Sequence, residues 1–154
     1  ELTGDSPEAE MVIDQAGNIY LQSQAAVDDL GWQILLSKLS PDGNLLWNKA
    51  YGLKNQGEND LRRLDKRVFL HINAEGNLVM GGNTCTLYGT GMNYGWEVNA
   101  EGQVVWSSML PNPYGYLTDI TSNVKGKGYM ITGYYRKTLE FEEVPKGFML
   151  EVGQ

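Results

Sequence analysis

The chain has 154 residues, 42% hydrophobic and 20% charged, which is enough apolar surface for a folded core and excludes a disordered segment. Its formal charge of −7 excludes the basic patches that nucleic acid requires and disfavours anionic membrane surfaces. No apolar run approaches the roughly 20 residues of a membrane-spanning helix, and a single cysteine, Cys85, excludes an internal disulfide framework.

Short apolar runs set off by Gly, Asp, Asn and Pro predict strands from the first residues onward. The first four fall at 11–13, 19–21, 34–36 and 45–47, followed by a charged stretch at 59–67 that reads as a solvated connection. Four more follow in the same order at 68–72, 78–80, 96–98 and 104–106, and a third set gives 117–120, 129–131 and 148–152. The recurrence is literal. Gly17-Asn18-Ile19-Tyr20-Leu21 returns as Gly76-Asn77-Leu78-Val79-Met80, and Asp42-Gly43-Asn44-Leu45-Leu46-Trp47 returns as Glu101-Gly102-Gln103-Val104-Val105-Trp106. Both pairs lie 59 residues apart, so a whole structural unit is duplicated. A third copy begins at Lys127-Gly128-Tyr129-Met130-Ile131-Thr132-Gly133 and lacks the later Asp-Gly turn and Trp strand.

Gly17, Gly43, Gly76 and Gly102 are expected in the left-handed region of tight hairpins. Nineteen glycines, nine Tyr and four Trp suit an all-β chain of many turns and half-buried faces. Four antiparallel strands repeated at this period predict stacked blades of a β-propeller, at about 11–52, 65–110 and 115–152, within one domain or part of one. Two full blades and a partial one cannot close a ring of the usual four to eight. The expectation is therefore a segment of a longer propeller, or missing strands supplied by another chain. A β-trefoil, with three four-stranded repeats at similar length, is the competing architecture. Trp32 and Trp96, each after a Gly, are matched with Phe148 after Gly147 as core between blades.

The units Gly17-Asn18-Ile19-Tyr20, Ser40-Pro41-Asp42-Gly43-Asn44-Leu45-Leu46-Trp47 and Tyr51-Gly52 resemble secreted bacterial propeller repeats. That resemblance implies an extracellular or cell-surface location and roles in adhesion or scaffolding. The start at Glu1 rather than Met fits a processed chain. The Ser40 to Trp47 turn is also similar to the Asp-box of sialidases, with Asn44 and Leu46 departing from that pattern. In families that own the box it is structural. Asp42 is accordingly expected to bond turn amides while Trp47, like Trp106 in the second copy, packs beneath.

Nothing pairs the carboxylates that glycoside hydrolysis would need; Asp28, Asp29, Asp60, Glu140, Glu142 and Glu143 are the candidates. Asp28 and Asp29 lack a calcium-loop pattern, so no metal and no cofactor is expected. His71 lies in an apolar strand and Cys85 has no neighbouring His, so both read as structural. The chain is read as non-catalytic. Its binding candidates form a loop rim of Asp28, Asp29, Asp60, Arg62, Arg63, Tyr88, Tyr94, Tyr114, Tyr116 and Arg136, a composition suited to protein recognition or to stacking on sugar rings. The first expectation is assembly along the open strand edge from Phe148 to Val152, with another chain or further blades as partner. A carbohydrate-binding module on the Tyr-rich rim is the second, and a hydrolase fragment the third.

Overall fold

The computed structural model describes residues 9–27, 31–51, 63–85, 91–111, 115–122, 128–135 and 146–152. Alternating apolar and polar residues between Gly-containing turns give eleven strands and, among the described residues, no helix. The first sheet is built from β1 (Glu10–Ile13), β2 (Ile19–Val27), β3 (Gly31–Leu39) and β4 (Leu45–Tyr51). The second holds β5 (Arg63–Ile72), β6 (Leu78–Cys85), β7 (Gly91–Val98) and β8 (Val104–Pro111). The third holds β9 (Gly115–Ser122), β10 (Tyr129–Tyr135) and β11 (Lys146–Val152). Every pairing is antiparallel and between chain neighbours, so each sheet is a simple meander. No described strand pairs with a strand of another sheet, whereas a trefoil barrel would need such pairs.

The four described hairpins share one turn. Asp14, Ser40, Asn73 and Asn99 each accept the amide of the Gly three residues on, and each donates its own amide to the carbonyl four residues on. This is a type I turn closed by a left-handed glycine bulge, with φ of 83° at Gly17, 82° at Gly43, 82° at Gly76 and 71° at Gly102. The leading side chain completes the turn. Asn73 Oδ1 takes the amides of Glu75 at 3.1 Å and Asn77 at 2.9 Å, and Asn99 Oδ1 takes those of Glu101 at 3.1 Å and Gln103 at 2.8 Å. In the Asp-box-like turn it is the Ser40 hydroxyl that accepts the Asn44 amide, at 3.2 Å. The expectation for Asp42 is corrected: its side chain is exposed, and the side-chain acceptor of this turn sits two residues earlier, at Ser40.

Asp14 plays this part as a carboxylate. Burial acts to raise its pKa, but the Asn18 side chain, the Asn18 and Ala16 amides and the Tyr20 hydroxyl outweigh it and hold the pKa below its ordinary value. A lowered carboxylate pKa contributes stability that is present above the unfolded-state value and lost as pH falls through the folded-state value. Asp14→Asn, which installs the residue found at 73 and 99, is expected to leave stability at pH 7 within about 0.5 kcal/mol and to flatten the loss below about pH 4, read by urea denaturation across pH.

All eleven strands outrun the apolar stretches that predict them, and two of them begin five residues earlier. β5 begins at Arg63, so the second half of the supposed connection is strand, with its register shifting between Leu64 and Val68. β7 begins at Gly91 rather than Trp96. Trp96 therefore pairs with Met80, whereas Trp32 pairs with Ala26 near its strand start and Phe148 pairs with Gly133. The three aromatics do not occupy equivalent positions, although Trp96 does belong to the core.

The sheets stack face to face, with β1 beside β5 and β5 beside β9. Tyr20, Ile34, Leu36 and Tyr51 of the first sheet meet Leu70, Leu78, Met80, Tyr94, Trp96 and Val98 of the second. Phe69 and Val79 on the other face of the second sheet meet Leu117, Ile120, Tyr129 and Ile131 of the third. Each such side chain contributes roughly 1.5–3 kcal/mol on burial, so the two interlayer cores, not the turns, supply most of the stabilisation.

Candidate interaction site

The stacking is polar as well as apolar, and it runs in one direction. The row Val12, Tyr20, Lys38, Trp47 crosses the first sheet on the face toward the second. The row His71, Val79, Glu97, Trp106 crosses the second sheet on the face toward the third. These rows are the same positions of the repeat. From the first, Lys38 Nζ reaches the carbonyl of Ala100 at 3.3 Å while lying 5.1 Å from the Tyr20 ring centre. Lys49 Nζ donates to the carbonyls of Glu101 and Gly102, and the Tyr51 hydroxyl donates to the Gly102 carbonyl at 2.7 Å. The turn at 99–103 is thus held by three side chains of the preceding sheet. Burial pushes the Tyr51 hydroxyl up to about 12, which favours the protonated donor this contact needs.

Glu97 is the counterpart of Lys38. It is only 3% exposed and accepts from Asn73 Nδ2 at 3.0 Å, from Asn77 Nδ2 at 2.6 Å and from the Tyr129 hydroxyl of the third sheet. One carboxylate therefore ties its own hairpin turn to the next sheet. His71 is in the same row. Burial lowers its pKa against the opposing pull of the Asp119 carboxylate and a backbone hydrogen bond at Ile120, so the neutral ring is favoured. Trp106 stacks at 4.7 Å on Tyr129, and Trp47 lies 6.2 Å from Tyr20. Both indoles pack against the cores.

Of the expected rim, Asp28, Asp29, Asp60, Arg62, Tyr88, Tyr114 and Arg136 lie outside the described residues. Arg63 opens β5, and Tyr116 is the second residue of β9, opposite Tyr134. Tyr94 is corrected: at 2% exposure it is core, 4.7 Å from Trp96 by ring centres, because β7 runs through it. The carboxylates Glu140, Glu142 and Glu143 also lie outside the described residues, and no group of three metal-ligating side chains occurs among those described. Lys38, Lys49 and Glu97 were missed as interface residues. Their one signal is a charge at an inward step of an alternating strand, at positions 59 apart in the case of 38 and 97.

What the arrangement offers chemically is sheet surface and strand edge. Among the described residues β11 pairs with β10 alone, whereas β3 and β7, its counterparts, each carry an outer strand. No helix of the described residues is long and apolar enough to cross a membrane. Neither the protein-family profiles nor the curated proteins compared with this sequence give a match.

Proposed function

We propose that the chain is a β-propeller segment of a secreted or cell-surface protein, non-catalytic, that serves protein–protein interaction or assembly. Stacked antiparallel meanders whose first strands lie side by side are how propeller blades are arranged, and neighbouring blades bury the faces one blade cannot. The observation that carries the reading is the outer edge of β11. Its backbone donors and acceptors are those that β4 and β8 satisfy in the other two sheets. An edge of this kind takes up an added strand, with main-chain hydrogen bonds giving affinity.

The test supplies the repeat's own outer strand in trans. A peptide with the sequence of residues 99–111, the turn and strand of the second sheet, is added to the chain and amide exchange is followed. Protection of alternate β11 amides, saturating with peptide, is expected. Unchanged β11 exchange at the highest peptide concentration would remove the assembly reading.

A further inference from the structure

We infer that the exposed face of the first sheet is a docking surface for the third sheet of a second copy of this chain. The first sheet has one covered face and one that no described element covers. The uncovered face carries Met11, Ile13, Ile19, Leu21, Leu35 and Leu39, which alternate with the residues packed on the second sheet. Met11 and Ile13 are each 58% exposed. Their counterparts 59 residues on, Leu70, Ile72, Leu78, Met80, Tyr94 and Val98, all join the core against the first sheet. The positions that are core in the second sheet are therefore half-buried or, at Met11 and Ile13, exposed in the first.

The occupant follows from the stacking rule inside the chain. Twice, this kind of face is covered by the opposite face of another sheet of the repeat, never by its own kind. The third sheet presents such an opposite face, with Met130, Thr132 and Tyr134 on β10 and Met149 and Glu151 on β11. Met149 is 66% exposed and occupies the register step of Leu36, which is fully buried in the first interface. Glu151 occupies the step of Glu97. Among the described residues no strand of the first sheet contacts a strand of the third, so the two faces do not meet within one copy. Two copies bring both complementary faces together twice. This inference rests on the propeller reading and is independent of the β11 edge, because it uses faces rather than backbone groups.

The test is analytical ultracentrifugation of the chain and of two face variants, Ile13→Asp and Met149→Asp. Both positions are well exposed, so folding is retained and is checked by circular dichroism. The wild-type chain is expected to sediment as a dimer. Each variant alone is expected to associate roughly 100-fold more weakly, since a carboxylate is buried unpaired in every interface it forms. An equimolar mixture is expected to recover a heterodimer, because one intact face of each kind remains. A monomeric wild-type chain, a Met149→Asp protein that still dimerises alone, or a mixture that stays monomeric would each overturn the inference. Dimers that survive both substitutions would place association at the β11 edge instead, overturning the face docking while leaving the assembly reading in place.

Discussion

Gly102→Ala lowers the unfolding free energy by about 3 kcal/mol, against about 1 kcal/mol for Gly43→Ala, when the two are compared by urea denaturation. The pair separates two roles that the sequence presents as one. Both glycines close the same turn with similar left-handed φ, so both substitutions carry the backbone cost of a Cβ in that region. A Cβ at Gly43 meets nothing within 4 Å. A Cβ at Gly102 meets the Tyr51 hydroxyl at 2.8 Å, Lys49 Cδ at 2.9 Å and Trp47 Cη2 at 3.1 Å. The lysine can swing aside, but Tyr51 is 7% exposed and already bonded to the Gly102 carbonyl, so the turn must leave its seat. The excess of about 2 kcal/mol measures the docking of one sheet's turn onto the preceding sheet. Equal losses at the two sites would mean that the turn is not held there. Gly76→Ala, whose added Cβ also meets nothing within 4 Å, is the second control.

The parts of the fold that were legible are those written locally. A left-handed turn position demands Gly, and a turn needing an acceptor at its first residue selects Asp, Asn or Ser, so the hairpins and their 59-residue spacing show in the letters. What was misread is where glycine has a long-range cause. With the strand expected only at 96–98, Tyr94 falls on the expected loop rim, beside the glycines at 91 and 95. Both lie inside β7. Gly95 is small because a Cβ there would come within 3.2 Å of the Trp106 ring and 3.3 Å of Ile120. Gly81, opposite it in register, would meet the Tyr94 carbonyl at 3.0 Å. These glycines let the third sheet approach the second, and that requirement sits in another unit of the sequence. The interface charges were hidden for a related reason. Lys38 and Glu97 sit at strand steps where alternation alone does not say whether the face is water or a neighbouring sheet.

Glu97→Ala is expected to cost about 3–4 kcal/mol, the largest loss among side chains of the second sheet that are not apolar. A carboxylate is acceptor-only, and this one meets three donors from three residues. Truncation leaves the two Asn amides and the Tyr129 hydroxyl without that acceptor in a region where Glu97 itself is 3% exposed. Glu97→Gln keeps the size but turns an amide N–H₂ toward donors, for an expected cost of about 1–2 kcal/mol. Lys38→Ala, at the matching step of the first sheet, is expected to cost about 1 kcal/mol, because that ammonium is only partly buried and donates one hydrogen bond of 3.3 Å to a carbonyl. The double variant Glu97→Ala with Tyr129→Phe then shows which link matters. If the carboxylate clamps the third sheet, the combined loss falls short of the sum of the singles by about 1 kcal/mol or more. Additive losses would confine Glu97 to bracing its own turn through Asn73 and Asn77, and would leave the second and third sheets joined by the Phe69, Val79, Leu117, Ile120, Tyr129 and Ile131 core and by the His71 contacts with Asp119 and Ile120. The charge at step 97 would then carry no preference for which sheet follows which, whereas Lys38, Lys49 and Tyr51 would still tie the first sheet to the 99–103 turn.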